Sequence, residues 1–431
     1  MLIFQITDLD GNVVEDILED QGGEVVIPYN DSRTAKVTLS VYNRQVLNAQ
    51  PLDRMLKALY ATIQGVYLVF WGVILKPSWR GAPGTVEINA HDQTIWFKKN
   101  NHRYGDIVVD VGYPVNGVGM QMLAESAIPL AHQIDRGVKH PGILWGYDDS
   151  HDWKYDSALQ LVIGSGPMPE KITAPKPGDG AWDQSTRGQQ IWETFQQLAG
   201  VSGFPDFDLR PIDADHPPTL KDPDSILRVP NPDGYAPGYY AQLDTYAHIG
   251  GNKTDDVIFH FGFGYDNLED MTYDPDGNAV INYAVEAYPG GEQGKKDTVH
   301  RALSHNENSW LKYGIYEKWV SANNKDPKPI LQKKANAWVS AYCEPPQYFT
   351  IQIRPEKGNL PGAEEPYRFI DHFGIGDEIT AVAKKGFFIK EIQGRVMRVT
   401  LTKEKDKKGT QTSVDCVPDV GGSADPSDQG I

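Results

Sequence analysis

The chain has 431 residues, 40% hydrophobic and 10% aromatic, with 41 Lys and Arg against 58 Asp and Glu, a formal charge of −17. That length holds roughly two to four domains of about 100–200 residues, with cores large enough to need no covalent staples. So acidic a chain is a poor general binder of nucleic acid, because phosphate binding draws on surplus Lys and Arg, although a negative wall lets DNA slide past without sticking.

The first residues, MLIFQITDLDG, carry no basic stretch and no cleavage site, so no secretory leader is expected. Leu2–Thr7 reads as a strand and Asp8–Asn12 as a tight turn. Strands follow at Val13–Leu18, Glu24–Pro28 and Ala35–Tyr42, with Val37, Leu39 and Val41 alternating. The stretch Ala58–Leu75 is long enough to imitate a membrane span, but Gln64-Gly65 interrupts it and Val, Tyr, Phe and Trp dominate; two strands meeting at a turn is the reading. Val66–Phe97 is the most informative segment. A β-branched and aromatic run, VYLVFWGVILKPSW, meets turn chemistry in RGAPG and returns through Thr85, Val86, Ile88 and Ala90. Residues 1–103 therefore read as an all-β barrel or sandwich.

Residues 104–240 read as mixed α/β. Met120, Leu123, Ala124 and Ala127 share one helical face, which Pro129 ends. Asp183 or Ser185 can cap a second helix with Ile191, Phe195 and Leu198 as its stripe and Gly200 at its end. Pro- and Gly-rich loops occupy 164–180 and 211–237. In 241–345, strands at Val257–Phe261 and Ala279–Tyr288 are joined across Asp274-Pro275-Asp276-Gly277. A third helix starts near Asp326, with Pro327 in its first turn and Leu331, Ala335 and Trp338 on one face, and Pro345-Pro346 stops it.

Residues 346–418 are β again: Phe349, Ile351 and Ile353 alternate, followed by Asp377–Val382, Phe387–Ile392, Val396–Thr402 and Thr412–Val417. Residues 419–431 have the composition of a disordered tail. The fold class expected is α+β and β-rich, with two β-barrel or sandwich modules of similar size flanking mixed α/β parts. No sequence repeat links the two modules.

Chemistry-bearing patterns are few. Asp148, Asp149, His151 and Asp152 could hold a metal or serve as acid and base, but consecutive loop residues point apart and no second His supports them. Asp8, Asp10, Asn12 and Glu19 match the calcium-loop spacing 1, 3, 5, 12, yet the glycine stands at the fourth position instead of the sixth, so a hairpin turn is the reading. FGFGYDN (Phe261–Asn267) lacks phosphate-loop spacing. Asp92, closing the second hairpin strand, reads as a structural acceptor of backbone hydrogen bonds. Lys384, Lys385, Lys390, Arg395, Arg398, Lys403, Lys405, Lys407 and Lys408 make the C-terminal β region basic. A solvated face and a docking surface for an acidic partner or neighbouring subunit are the two readings. Cys343 and Cys416 match no zinc or CxxC spacing; reduced thiols and a disulfide joining the C-terminal strands both stay open. No catalytic, cofactor-binding or metal-binding residue is assigned.

Four stretches carry a family resemblance: Val69–Phe97, Gly188–Asp213, Trp310–Trp338 and Phe373–Thr402. Together they resemble actinobacteriophage minor tail proteins and, more distantly, siphophage tail-tip hubs. The resemblance implies a non-enzymatic homotrimer in which residues 1–103 and 346–418 build a pseudo-sixfold ring at the virion's tail tip. It implies as partners the distal tail protein, tail tube protein, tape-measure protein and other minor tail proteins. Genomic DNA would pass through the lumen without specific binding, and no membrane span is expected. Many relatives extend into a hydrolase or receptor-binding module; this sequence stops soon after the second β region, so a bare structural hub is expected. A β-rich glycan or peptidoglycan hydrolase, or an adhesin using exposed Trp and Tyr, stands as the alternative.

Overall fold

The computed structural model describes residues 1–99 except 10, 19, 82 and 83, and residues 249–417 except 264–265, 291–297, 322–327, 355–365 and 405–408. Between these lie short described segments at 107–110, 142–146, 181–184, 206–211, 227–228 and 239–246, with residues 190, 192, 193 and 196.

The N-terminal strands are β1 (Leu2–Thr7), β2 (Val13–Ile17), β3 (Asp20–Pro28), β4 (Thr34–Ser40), β5 (Met55–Ala61), β6 (Val66–Arg80) and β7 (Thr85–Asp92), followed by helix α1 (Thr94–Lys99). Strands β8 (Ile107–Asp110), β9 (Gly142–Gly146), β10 (Ala181–Gln184), β11 (Asp206–Pro211), β12 (Leu227–Arg228) and β13 (Tyr239–Tyr246) come next. Then follow β14 (Ile258–Phe261), β15 (Leu268–Pro275), β16 (Tyr283–Gly290), β17 (Thr298–His305), α2 (Glu307–Tyr313), β18 (Glu317–Ser321) and α3 (Lys328–Tyr342). The C-terminal strands are β19 (Gln347–Ile353), β20 (Glu378–Lys385), β21 (Phe388–Glu404) and β22 (Gln411–Val417). The β-rich α+β class expected from the sequence is the class observed.

Both β modules lie in one 13-stranded sheet. The seam is the antiparallel pair β3–β21, in register from Arg398 opposite Pro28 to Glu404 opposite Gly22. One hydrophobic core crosses it, because the period-two alternation of both modules points the same way: Phe4, Val25, Val37 and Ile88 share a cluster with Ile351, Val399, Leu401 and Val414. Strand β6 is buried from Leu68 to Ile74 without alternation. A second cluster of Met55, Leu68, Trp71, Val73 and Ile95 covers its other face. Burial on both faces explains why this stretch imitates a membrane span by composition. No helix among the described residues is long and apolar enough to cross a membrane.

The two modules share a unit that sequence comparison does not reveal. The first part of β6 pairs with β5 and its second part with β7. Likewise β21 pairs first with β20, then with β22. Each long strand has a glycine where it changes partner, Gly72 and Gly394, and a register shift just after it, between Ile74 and Lys76 and between Val396 and Arg398. A Cβ at Gly72 would stand 2.0 Å from the His91 carbonyl oxygen, and one at Gly394 would stand 2.6 Å from a Phe349 ring carbon and 2.8 Å from the Val417 oxygen. Neighbouring backbone thus approaches too closely for any side chain, and the bulge that follows bends the strand.

Several sequence-based elements need correction. Phe387–Ile392 and Val396–Thr402 form one strand, β21, since Gly394 marks a bend and not a break. The strands expected on either side of Asp274–Gly277 do not pair with each other. The additional strand β15 runs between them and pairs with β19, and β14 pairs in parallel with β20, so both join the large sheet. Beyond the turn, β16 belongs to a separate sheet of order β17-β16-β18. Strands β17 and β18 and helix α2 are further elements that the sequence pattern does not mark. Helix α3 ends at Tyr342, ahead of Pro345-Pro346 as expected; Asp326 and Pro327, where its start was read, lie outside the described residues. The helix read at Met120–Ala127 lies outside the described residues; of the one read between 183 and 200, Trp192, Glu193 and Gln196 are described and helical.

The small β16–β18 unit is organised by buried Asn282. Its Nδ2 donates to Ser309 Oγ at 3.0 Å and to the Gly314 carbonyl at 2.7 Å, and its Oδ1 accepts from the Tyr316 N–H at 2.8 Å. One amide side chain thereby fixes α2 and the entry to β18.

Candidate assembly interface

The most heavily bonded polar node sits where β4, β7 and β6 meet the outlying strand β11. Arg33 and Asp92 hold each other: the Arg33 N–H donates to Asp92 Oδ2 at 2.7 Å, and the Asp92 N–H donates to the Arg33 carbonyl at 3.2 Å. The other Asp92 oxygen accepts from the Thr94 N–H at 3.1 Å and from the Thr94 hydroxyl, which starts α1. Burial pushes the Asp92 carboxyl up to about 6, and these hydrogen bonds oppose the rise. The structural role read for Asp92 is the one observed.

The Arg33 guanidinium reaches the other way. Its Nη1 donates to the Val69 carbonyl at 3.1 Å, and its Nη2 meets both carboxylate oxygens of Asp208 in β11, at 2.8 and 2.6 Å. Arg33 is buried, and its Nε finds no hydrogen-bond partner among the described residues. The pair ties β11 to the N-terminal module, a charge-assisted contact in which one guanidinium nitrogen meets both carboxylate oxygens. Beside it lies a cleft of about 340 Å³ lined by Ile27, Arg33, Asp208, Lys253, Phe373 and Asp377. Asp377 is fully engaged there: it accepts from the Gly251 and Gly374 N–H groups at 2.8 and 2.7 Å and pairs with Lys253 at 2.9 Å. Each carboxylate in this cleft is held by a cation or by backbone donors. Such groups clamp segments together.

The basic C-terminal region divides in two. Arg395 pairs with Glu378 at 3.2 Å, Arg398 with Asp415 at 3.6 Å and Lys403 with buried Asp20 at 2.5 Å, so these three cations stitch the sheet. Lys384, Lys385 and Lys390 instead surround the tip of the β20–β21 hairpin. They lie over Phe263, Phe261 and Tyr273 at 5.8, 5.5 and 5.7 Å from the ring centroids. At the tip Phe387 is fully exposed and Ile389 largely so. Lys405, Lys407 and Lys408 lie outside the described residues.

Other sequence candidates resolve simply. Asp8 Oδ1 accepts from the Asn12 N–H at 2.9 Å and Oδ2 from Asn12 Nδ2 at 3.0 Å, the hairpin-turn reading; Asp10 and Glu19 lie outside the described residues. Asp276 accepts from the Asn278 N–H at 2.8 Å, again a turn. Cys343 and Cys416 are both free thiols. The Asp148–Asp152 cluster lies outside the described residues, among which no group of three or more His, Cys, Asp or Glu could hold a metal ion. Sequence reasoning missed the Arg33–Asp208 pair entirely, since neither residue has a local pattern to mark it.

No protein-family model matches this sequence, and no curated protein matches it. Among solved structures the chain is similar to the tail protein from Neisseria meningitidis MC58, at 11% identity and TM-score 0.52, with 97% of each chain covered. It is equally similar to the 43 kDa tail protein of prophage MuSo2 from Shewanella oneidensis, at 7% identity and TM-score 0.52, covering 98% of this chain and 99% of that one. The chain therefore has a phage tail protein fold over nearly its whole length.

Proposed function

We propose that this chain is a structural component of a bacteriophage tail, the trimeric central hub at the tip of a long non-contractile tail. The observation that carries the reading is the matched pair of units, β5–β6–β7 and β20–β21–β22, fused through the β3–β21 seam. A subunit holding two equivalent β modules presents six such modules when three copies close a ring, and so matches a hexameric tube from a threefold base. The tail-protein fold along the whole chain supports the same assignment. The net charge of −17 suits a conduit through which DNA passes without adhering. In this reading the chain is not an enzyme, its neighbours are the distal tail, tube, tape-measure and other minor tail proteins, and residues 1–103 and 346–418 form the ring.

Two measurements test it together. Mass photometry of the purified chain is expected to show a three-copy species. Electron microscopy of tails carrying a tagged copy is expected to place the label at the distal end. Label along the tail shaft, or at the head-proximal end, would remove the hub assignment.

A further inference from the structure

Two hairpins leave apolar side chains in water, and their charges are opposite. No Lys or Arg precedes Arg33, while Asp8, Glu15 and Asp16 lie on and beside the β1–β2 hairpin. Val13, Val14 and Leu18 are exposed there, and Leu47 is exposed on the adjoining short helical turn, Arg44–Asn48, whose Gln45 and Asn48 side chains grip Glu15. The other hairpin, β20–β21, offers Phe387, Phe388 and Ile389 between Lys384, Lys385 and Lys390. It is held rigid from below, where the Phe388 ring lies 5.9 Å from Tyr273.

The two surfaces sit at opposite ends of one strand. Pairing of β21 with β3 begins at Arg398, and Lys403 near its end meets Asp20, the first residue after the β1–β2 hairpin region. Phe388 lies at the other end, 15 residues before Lys403, about 50 Å along the strand at roughly 3.3 Å per residue. Opposite ends of one strand cannot meet within a single copy, but they can meet between copies.

We propose that these hairpins form a head-to-tail interface, with the basic, aromatic tip of β20–β21 on one copy seated against the acidic, apolar β1–β2 hairpin of the next. This rests on the ring-forming reading above and names the surfaces that close the ring. The occupant is a second copy because this chain itself supplies the complement in both charge and apolar character. A contact between unlike patches is heterologous, and a heterologous contact closes into a ring of three when each copy is turned by a third of a revolution from the last. Phe387 and Phe388 are the anchors and the lysines set register and encounter.

Charge reversal in the full chain tests this. One variant carries Lys384→Glu, Lys385→Glu and Lys390→Glu, a second carries Val14→Lys and Asp16→Lys, and a third carries all five. Sedimentation equilibrium is expected to show the first two dissociating at concentrations at least about tenfold above wild type, and the third recovering most of that loss. Phe387→Ser, at a fully exposed turn position, is expected to weaken association similarly with unchanged thermal unfolding. A trimer whose stability none of these variants alters overturns the interface and leaves the hub reading standing. A wild-type chain that stays monomeric removes both. Vesicles containing phosphatidylserine provide the remaining arm: binding that the lysine reversals abolish while self-association is unchanged assigns the tip to a lipid surface and overturns the proposal.

Discussion

Gly72 and Gly394, far apart in the chain, occupy the same place in two different strands: each lies where a long strand exchanges one antiparallel partner for another, just ahead of a register shift. At both positions a neighbouring carbonyl oxygen stands where a Cβ would be, at 2.0 Å for Gly72 and 2.8 Å for Gly394. Gly72→Ala and Gly394→Ala should therefore each destabilise the fold beyond the ~1–3 kcal/mol usual for overpacking, with Gly72 the worse because only backbone can yield there. Chemical denaturation of the two variants checks the order; a Gly72→Ala protein as stable as wild type would contradict the corner geometry.

Asp92 should make the protein respond to pH in an unusual direction. Its carboxyl is raised to about 6 when folded, against an ordinary value of 3.8. Between these values the folded state holds a proton that the unfolded state has released, so stability falls as pH rises from about 4 to 6 and stays lower above that. The whole effect is at most roughly 3 kcal/mol at 1.36 kcal/mol per pH unit. Thermal unfolding at pH 4.5 and pH 7 should show wild type gaining more from acid than Asp92→Asn does. Equal gains in the two proteins would contradict this.

Arg33 anchors β11. Replacing Arg33 with Met leaves the Asp208 carboxylate without its cation, and Arg33→Lys keeps the charge but loses the second guanidinium nitrogen, which holds the Val69 carbonyl. Hydrogen exchange at residues 206–211 should accelerate in both, by the equivalent of about 1.5–3 kcal/mol for Met and less for Lys. Unchanged protection in Arg33→Met would mean that pairing with β13 and packing against β6 hold the strand without the ion pair.

Asn282→Ala removes three hydrogen bonds of a buried side chain from the β16–β18 unit at once. A loss of roughly 2–3 kcal/mol is expected, because the Tyr316 N–H and Gly314 carbonyl are left without the side chain that satisfied them. Hydrogen exchange should report it in residues 301–321 before it reaches the large sheet.

Elements with a strong local signal were legible. Strands β1, β4 and β7 show period-two burial, β6 is an unbroken apolar run, and α3 is bracketed by prolines. Strand β15 was not legible, because its side chains beyond Leu268 are largely exposed and acidic or polar, so no apolar alternation survives. At Gly394 the usual meaning of glycine misled, since a glycine that ends a strand and one that bends it look alike in one dimension.

By itself the sequence determined which faces are apolar and where most strands lie, because side-chain alternation is a local property of an extended backbone. Only the tertiary structure decided that β3 finds β21, that Arg33 finds Asp208, and that two modules without sequence similarity share a corner. Those are choices among partners far apart in the chain, made by closing one common core, and no residue carries the address of its distant neighbour.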